Sequence, residues 1–349
     1  MTRIAVDAMG GDYAPAEIVK GAVWAAYDYN VAIELVGQVD KIQEVLDTIA
    51  KKGIRSNRGG YFVKTIKVDL SKLDIKLTQA DEIIEMGEAP GVAIRKKKKS
   101  SIVLAVDAVA KGSSDAVVAA GSTGAAMASS LFGLGRIKGI ERPAIAATLP
   151  TRKDPVILID AGANSACTPE MLFQFATMGS TFVKNVYNRK DPKIGVMNIG
   201  EEEEKGNQLV KDTHKLLKEN NIGLHFIGNI EGKELFSGDV DVVVCDGFVG
   251  NVALKTIEGC SMMLFTLIKQ EFTHDWISKI VGLLAKPFMR RIYKRINYEE
   301  FGGALLLGVK GITVISHGRS SSYAIKNAVR VAKEAVEAKV NSKIAELIN

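Results

Sequence analysis

Residues 242–259 read VVVCDGFVGNVALKTIEG, and this stretch decides the fold. Residues 242–245 are apolar without polar alternation, as in a strand that is covered on both faces of its sheet. Asp246 and Gly247 end this run, and a helical pattern begins directly after Gly250 and Asn251. The stretch therefore predicts a central buried strand, a turn that brings backbone N–H groups to a ligand, and a helix.

The same succession of an apolar run, a Gly, Asp or Asn cluster and a helical pattern recurs along the chain. The predicted strands are 3–7, 32–37, 115–121, 144–149, 156–162, 193–200, 224–228, 240–247 and 312–318. The helix-length segments between them include 15–29, 38–52, 168–187, 205–220 and 321–347. This alternation predicts an α/β fold with a largely parallel sheet flanked by helices.

Two stretches depart from that alternation. Residues 53–90 are polar, carry Gly59 and Gly60, and predict no clear element. Residues 251–298 are helical in pattern almost throughout, with a predicted break at Pro287. Because no linker or internal repeat is evident, we predict a single unit over residues 1–349, in which the helical subregion 251–298 faces a second subunit or a membrane.

The composition indicates a globular protein of a reducing compartment. The 349-residue chain is 47% hydrophobic, and its three cysteines show no CxxC spacing. The N-terminus lacks the apolar core of a signal peptide, and charged residues interrupt the most hydrophobic third of the chain. None of the four histidines pairs with another at metal-ligand spacing. We therefore expect a cytoplasmic protein without a membrane span or a metal, whose net charge of +6 suits acidic partners.

Six predicted turns at strand ends combine glycine with short polar side chains. They are MGGD (9–12), AGSTG (120–124), DAGAN (160–164), NIGEE (198–202), CDGFVGN (245–251) and SHGRSSS (316–322). Ligands of open α/β sheets bind beyond the carboxyl ends of the strands, and helix N-termini favour anions. One such turn is more often only a turn or a helix cap, but six together favour a ligand site. No GxxxxGK[ST] or GxGxxG motif is present, so a small phosphate fits better than a nucleotide.

Two side chains at predicted strand ends are candidates for chemistry. His317 follows an apolar strand and precedes Gly318, which suits either an active-site group at the sheet edge or an ordinary loop histidine. Cys245 also lies at a strand end, but an unpaired cysteine is more commonly a small buried apolar residue, so it is assigned no catalytic role. The absence of HExxH and GxSxG motifs disfavours a metallohydrolase or a serine hydrolase.

Nine motifs follow one another in a fixed order along nearly the whole chain. They are MGGD, ADEIIEMGEAPGVAIRKKKKSS (80–101), RIKGIERPA (136–144), GAN (162–164), NIGEEEEKGN (198–207), GNIEG (228–232), CDGFVGNVALKTIEG (245–259), FGGALLLGVKG (301–311) and SHG (316–318). In this order they closely resemble the bacterial phosphate acyltransferase of phospholipid synthesis. Tyr13 and Ser122 depart from the pattern, since the family often has histidine and asparagine there.

The resemblance implies an enzyme that transfers a fatty acyl group from the thioester of acyl carrier protein to inorganic phosphate. The product, an acyl phosphate, would serve a membrane glycerol-phosphate acyltransferase. The family's fold is similar to that of phosphotransacetylases and of isocitrate or isopropylmalate dehydrogenases, and its members are homodimers. No metal or organic cofactor is required, because the thiolate is a good leaving group and the enzyme needs mainly to orient reactants and neutralise charge.

Candidate site residues follow from this reaction and from the glycine-rich turns. The expected catalytic residues are His317, Asn164, Lys205 and Asn251, with Asp160 and Asp246 orienting the donors. The expected phosphate-binding residues are Gly10, Gly11, Asp12, Gly121, Ser122, Thr123, Gly124, Gly162, Asn198, Gly200, Asn229, Gly247, Gly250 and Gly318. An apolar lid that excludes water is expected, since the product is a mixed anhydride.

A compact basic run suits an acidic protein partner. It comprises Arg95, Lys96, Lys97, Lys98 and Lys99, without interleaved aromatic residues, so a single-stranded nucleic acid is a poor candidate. Acyl carrier protein is acidic as a class, and this run is a candidate docking site for it. A solvated helix end explains the same run and is the more common role.

The segment 276–296 mixes apolar residues with cations and contains no acid. Its expected membrane-facing residues are Trp276, Ile280, Leu283, Leu284 and Phe288. This composition is typical of a helix that lies on an anionic membrane surface, which predicts peripheral association with the inner face of the cell membrane. A helix of a dimer interface needs an apolar stripe as well, so both interpretations stay open.

Other functions fit the same sequence less well. A short-chain phosphotransacetylase would use coenzyme A thioesters, and a metal-dependent dehydrogenase of the same broad fold would reduce NAD. A non-catalytic protein that gathers acyl carrier protein and lipid enzymes at the membrane is a third possibility. Phosphate-dependent release of free carrier thiol would separate an enzyme from this last class.

Overall fold

A computed structural model describes residues 1–57, 63–220 and 223–348. Its strands are β1 (Arg3–Asp7), β2 (Ala32–Gly37), β3 (Ile54–Asn57), β4 (Val63–Ile66), β5 (Ile75–Gln79), β6 (Ala116–Ala119), β7 (Ala144–Leu149), β8 (Val156–Ile159), β9 (Lys193–Met197), β10 (His225–Ile230), β11 (Val242–Val244), β12 (Ala304–Leu307) and β13 (Ile312–Ile315). Gly59 and Gly60 lie outside the described residues.

The helices cover the faces of the sheet, except for two that extend away from it. They are α1 (Ala16–Tyr29), α2 (Val39–Lys52), α3 (Pro90–Lys96), α4 (Ser101–Ala110), α5 (Thr123–Gly133), α6 (Pro169–Val186), α7 (Gln208–Glu219), α8 (Gly247–Glu271), α9 (Trp276–Ile296), α10 (Ser322–Glu337) and α11 (Val340–Ile348). Only Gly247 and Gly250 of α8 are buried, and no residue of α9 is. We call α8 and α9 together the helical hairpin.

Among the described residues, eleven strands form one sheet in the order β10-β9-β11-β8-β7-β12-β13-β6-β1-β2-β5. Most neighbours are parallel, but β7 pairs antiparallel with β8 and with β12, and β12 pairs antiparallel with β13. It follows from the pairings that β8 to β12 run in one direction, whereas β1, β2, β5, β6, β7 and β13 run in the other. The predicted largely parallel α/β sheet is confirmed, with a reversal at its centre.

Burial explains which strands the sequence reveals. Every residue of β2, β6, β8, β11 and β13 is buried, as the continuous apolar runs predicted. The edge strand β5 alternates between half-buried and exposed residues, and its polar sequence IKLTQ did not predict a strand. The two-stranded sheet of β3 and β4 lies in the same polar stretch.

Several predicted strands end earlier in the structure, and three predictions about the helices are wrong. Residues 247–251 are not a turn, because α8 begins at Gly247 directly after its cap Asp246. The break expected at Pro287 is absent, since α9 is exposed and water can satisfy the carbonyl group that proline leaves unpaired. The hairpin instead turns between Glu271 and Trp276. The segment 321–347 forms two helices, because Lys339 adopts a left-handed conformation with φ 52°.

Candidate active site

The six glycine-rich turns do not share one edge of the sheet, which corrects the expectation from the sequence. The turns at 9–12, 120–124 and 316–322 follow β1, β6 and β13. The turns at 160–164, 198–202 and 245–251 follow β8, β9 and β11, which run in the opposite direction. The central antiparallel strands β7 and β12 cause this separation, and the sequence gives no sign of their direction.

The first three turns meet one another, and we call them the histidine-side turns. Asp12 N donates a hydrogen bond to Gly318 O at 2.8 Å. A Cβ atom added to Gly10 would lie 2.9 Å from Gly121 N, so only glycine permits this approach of two backbones. Gly11 has a φ of 104°, and its backbone lies against Ala120 and Gly318. The predicted cluster of glycines is therefore a real contact between three loops.

Backbone donors remain available at these turns. The N–H groups of Gly121, Ser122, Thr123 and Gly124 have no acceptor among the residues that the structure describes. Ser122 caps α5 by accepting a hydrogen bond from Ala125 N at 3.4 Å, as the sequence predicted for a short polar residue before a helix. A helix N-terminus with open N–H groups attracts an anion. Asp12 caps no helix, since α1 begins only at Ala16.

His317 lies at the end of β13, and its side chain is exposed. Its Nδ1 atom accepts a hydrogen bond from Arg319 N at 3.1 Å, so the neutral ring carries its proton on Nε2. Burial and the nearby cation Lys255 lower the pKa of His317, and Glu258 partly offsets this. A neutral imidazole with an Nε2–H group can donate to a phosphate or an oxyanion at neutral pH. Arg319 Nε lies 3.5 Å from Asp12 Oδ2.

Asp160 organises the opposite group of turns. Its buried carboxylate accepts hydrogen bonds from Ile145 N at 2.9 Å and from the backbone N–H groups of Gly162, Ala163 and Asn164. Burial raises the pKa of Asp160, and these donors partly offset it. The backbone N–H groups of Gly162, Ala163 and Asn164 therefore donate to Asp160 and are not available to a phosphate.

Asn164 has no side-chain hydrogen left to donate. Its Nδ2 atom donates to Pro143 O at 2.8 Å and to Asp160 Oδ2 at 2.9 Å, which uses both amide hydrogens. The expected orientation of Asn164 by Asp160 is present, but the expected donation to phosphate is wrong for this arrangement.

The backbone N–H groups at the start of α8 also donate to acceptors within the protein. Gly247 N donates to Asn164 O at 2.7 Å, and Asp246 Oδ1 accepts from Phe248 N and Val249 N. An added Cβ on Gly250 would overlap Asp160 O, so this glycine serves close packing of α8 on β8. Asn251 is exposed on the first turns of α8, and Gly162 lies against it. Of the polar side chains at this turn, Asn251 is exposed, and the apolar Phe248 and Val249 are exposed beside it.

A third group of residues forms around β9 and β10. Asn198 Nδ2 donates to Lys205 O, and Asn229 Nδ2 donates to Glu202 O at 2.9 Å. The buried His214 contacts Asn229 Oδ1 through Nδ1 at 3.1 Å. These contacts fix the loop at 198–207. The Lys205 side chain is exposed, and Gly200 lies against it.

Helix α8 links the separated groups. It begins beside Asp160 and continues past His317, where Lys255 and Glu258 are close enough to shift the histidine pKa. Lys255 Nζ and Glu258 Oε2 are 2.8 Å apart. Neither residue was among the site residues predicted from the sequence, although the motif at 245–259 contains both.

Asp7 is a further residue at these turns that was not predicted from the sequence. It ends β1, is buried, and accepts a hydrogen bond from Met9 N at 3.2 Å, with further bonds from Gly10 and Ser101. Burial raises the pKa of Asp7 despite these donors. A terminal aspartate in the apolar run RIAVD was the available signal.

Neither Cys167 nor Cys245 has an activated thiolate. Burial, followed by the charge of Asp160, raises the pKa of Cys167 to about 11. Burial raises the pKa of Cys245 well above its usual range. Within the described residues, no group of three or more His, Cys, Asp or Glu could hold a metal ion.

The basic run divides into four exposed cations and one structural lysine. Arg95, Lys96, Lys98 and Lys99 are exposed. Lys97 is half-buried, pairs with Glu88 at 2.5 Å and donates to Ile83 O at 2.7 Å. It lowers the pKa of Glu88. Lys97 therefore anchors the loop before α3. It was predicted to dock a partner, but its ammonium group is used by Glu88 and Ile83 O instead.

The apolar side chains predicted to face a membrane are all solvent-exposed in α9. Leu283 and Leu284 expose 69% and 71% of their surface, and Trp276 exposes 71%. Ile280 and Phe288 are exposed as well. Among the described residues, α8 alone is long and apolar enough to span a membrane by length and composition. Such a helix was not expected from the sequence, because Lys255, Glu258 and Lys269 interrupt its apolar residues.

Solved structures with the same architecture define the class of protein. A phosphotransacetylase from Streptococcus pyogenes matches with a TM-score of 0.61 at 14% identity, covering 98% of this chain and 94% of that one. A putative 4-hydroxythreonine-4-phosphate dehydrogenase from Salmonella typhimurium matches with a TM-score of 0.51 at 12% identity, covering 95% and 98%. The fold is thus shared with phosphotransacetylases and with a group of dehydrogenases.

Relatives in sequence then define the family. The family described as "Fatty acid synthesis protein" matches residues 2–343. A phosphate acyltransferase of Pelotomaculum thermopropionicum is 49% identical over 335 residues, covering 96% of this chain and 92% of that protein. A phosphate acyltransferase of Dictyoglomus turgidum is 48% identical over 348 residues, covering 99% and 98%. The chain belongs to this family of phosphate acyltransferases, as its ordered motifs indicated, and it is an acyltransferase of lipid synthesis.

Proposed function

We propose that the protein transfers a long-chain fatty acyl group from the thioester of acyl carrier protein to inorganic phosphate. A phosphate oxygen attacks the thioester carbonyl carbon and forms a tetrahedral oxyanion. The carbon–sulfur bond then breaks, the carrier thiolate leaves and takes a proton, and acyl phosphate is released for a glycerol-phosphate acyltransferase of the membrane. The observation that carries this proposal is 49% identity to a phosphate acyltransferase over nearly the full chain.

We assign phosphate to the histidine-side turns. Their backbone N–H groups at Gly121 to Gly124 are open, whereas the corresponding donors beside Asp160 and Asp246 are already used. His317 Nε2–H and the cations Arg319 and Lys255 supply further attraction for an anion. A donor aimed at the developing oxyanion contributes on the order of 3 kcal/mol to lowering the barrier. No cofactor is needed for this chemistry.

The remaining predicted residues act in support in this proposal. Asp160, Asp246 and Asn164 hold α8 against the sheet, and α8 carries Lys255 toward His317. Asn251 and Lys205 have exposed side chains and are the candidates for contacts with the thioester or its carrier. A single catalytic unit over residues 1–349 follows from this division of roles.

Product analysis tests the reaction directly. The protein is incubated with palmitoyl acyl carrier protein and phosphate, and mass spectrometry looks for acyl phosphate and free carrier thiol. Both products should appear only when phosphate is present. Activity with coenzyme A thioesters alone would favour a short-chain phosphotransacetylase, and reduction of NAD would favour a dehydrogenase. Absence of phosphate-dependent thiol release would overturn the proposal.

Kinetics of single variants test the site. His317→Ala should raise the phosphate KM or lower kcat by roughly 100-fold, as for the loss of one oxyanion donor. Asn251→Ala should act mainly on the KM for the acyl donor, and Asn164→Ala should mainly lower stability. Unchanged phosphate-dependent turnover in all three folded variants would refute the assignment.

The exposed cations of the basic run are the proposed docking site for acyl carrier protein. Lys98→Glu combined with Lys99→Glu should raise the KM for the carrier and leave the KM for phosphate unchanged. Lys51→Glu combined with Lys52→Glu is the matched control, because these exposed lysines end α2 and change the net charge equally. Equal effects of the two pairs would mean that only net charge matters.

We propose that α9 places the enzyme on the cytoplasmic face of the membrane as a homodimer. Its exposed apolar side chains lie among six cations and no acid, and each cation near an anionic surface contributes about 1 kcal/mol. Leu283→Glu and Leu284→Glu should abolish flotation with anionic vesicles, whereas Leu347→Glu, at an exposed position on α11, should not. If the variants become monomeric instead and still float, α9 is an interface between subunits.

A further inference from the structure

A groove between α3, α4 and α5 lies apart from the turns that carry the proposed reaction. It has a volume of about 370 Å³, which is within the range of small-molecule sites. Its apolar walls include Ile94, Val103, Val106 and Phe132, and the Phe132 side chain is 66% exposed. We call it the α4–α5 groove.

One polar group in this groove is buried without a hydrogen bond. Ser129 is only 4% exposed, and its Oγ atom has no hydrogen-bond partner in the part of the chain that the structure describes. A serine inside a helix commonly donates to the carbonyl group four residues earlier, and this serine does not. A buried hydroxyl without a partner is unfavourable for folding alone, so its presence points to a ligand that accepts its hydrogen bond.

The charges around the groove favour an anion. Lys98 lines the groove and is exposed. Asp107 lines it too, and its carboxylate is paired with Lys111 at 2.5 Å. The groove therefore offers one unpaired cation, one buried hydroxyl and apolar walls. An acidic head on an apolar chain matches all three.

We propose that the α4–α5 groove binds a free fatty carboxylate. The carboxylate lies between Lys98 Nζ and Ser129 Oγ, and the chain packs along Val103, Val106 and Phe132. Because Ser129 Oγ is buried, the carboxylate reaches it only when a side chain of the groove wall moves. This binding site shares Lys98 with the proposed docking site for acyl carrier protein, but it needs neither phosphate nor a thioester.

Calorimetric titration of the full-length protein with dodecanoate, below its critical micelle concentration, tests the site. Binding should saturate at one molecule per chain. Lys98→Glu should weaken it at least tenfold and Ser129→Ala about fivefold to tenfold, as for the loss of one hydrogen bond to a charged group. Ser129→Ala should fold at least as stably as the natural protein, because it removes an unpaired hydroxyl. Dodecanol, which has no charge, should bind at least tenfold more weakly.

Controls separate this site from other surfaces. Lys96→Glu changes the same charge outside the groove and should leave dodecanoate binding intact, as should Leu283→Glu in α9. Binding lost in Leu283→Glu but not in Lys98→Glu would place the lipid in the helical hairpin and overturn the proposal. Conversion of a dimer to a monomer by Phe132→Glu would show that a second copy covers the groove, which would also overturn it.

Discussion

Asn164 Nδ2 and Asp160 Oδ2 are joined by a hydrogen bond of 2.9 Å, and both side chains are otherwise bonded to the backbone around them. The pair holds the turn after β8 in one conformation and presents Asn164 O to Gly247 N. We propose that the pair positions α8, because Asn164 has no amide hydrogen left for a substrate and the Asp160 carboxylate already accepts from the surrounding backbone.

Asp160→Asn should destabilise the protein strongly. The new amide group would replace one carboxylate oxygen and meet donors that need an acceptor, and leaving buried groups unpaired costs about 1–3 kcal/mol. Urea denaturation measures this loss. Asp154→Asn is the control, because its side chain is exposed and should change stability little. A midpoint equal to that of the natural protein would contradict the role given to Asp160.

Two glycines of α8 provide a matched test of close packing. Gly250→Ala would force its Cβ into Asp160 O and should destabilise the protein by about 3 kcal/mol, as overpacking does. Gly259→Ala meets nothing within 4 Å and should stabilise α8 by up to about 1 kcal/mol through helix propensity. Thermal unfolding followed by circular dichroism compares them. A similar loss in both variants would mean that α8 does not pack on β8 as described.

The cap of α8 can be separated from catalysis at Asp246. Asp246→Ala removes the acceptor of Phe248 N and Val249 N and should cost about 1 kcal/mol. Asp246→Asn keeps a capping oxygen and should retain stability. If Asp246 acts only as a cap, the asparagine variant also keeps its turnover; a large loss of kcat at unchanged stability would instead give the carboxylate a direct part in the reaction.

Much of the fold was predictable because its strands are buried on both faces and each is followed by a turn and a helix. The terminal residues of β1, β2 and β7 agree with those predicted from their apolar runs. Strand direction was not predictable: β12 is four apolar residues in FGGALLLG, and nothing in that run indicates an antiparallel partner. The polar edge strand β5 has too little buried surface to leave an apolar run.

The loops of the site were predictable from the sequence, but the roles of several residues in and around them were not. Glycines 10, 11 and 121 meet as expected, because close backbone contacts leave a clear trace in sequence. Asn164 Nδ2 donates to Pro143 O, and this contact between distant residues cannot be predicted without the tertiary structure. Lys255 was missed because a cation on a helix is ordinarily a solvated residue, and only the course of α8 places it near His317.

The position of α8 beside His317 can be tested through the pKa of that histidine. Burial and Lys255 lower its pKa, so its titration by NMR should have a midpoint below the ordinary value of about 6.5. Lys255→Gln should raise that midpoint and Glu258→Gln should lower it, since they remove charges of opposite sign.

Because the unfolded chain binds the proton more readily, His317 should reduce stability as pH falls through 6.5 toward the folded pKa, and His317→Gln should lose this contribution. Phosphate-dependent turnover should fall over the pH range in which His317 becomes protonated if its Nδ1 contact with Arg319 N must stay intact. A midpoint above 6.5, or shifts of the same sign in the two charge variants, would refute this placement of α8 beside His317.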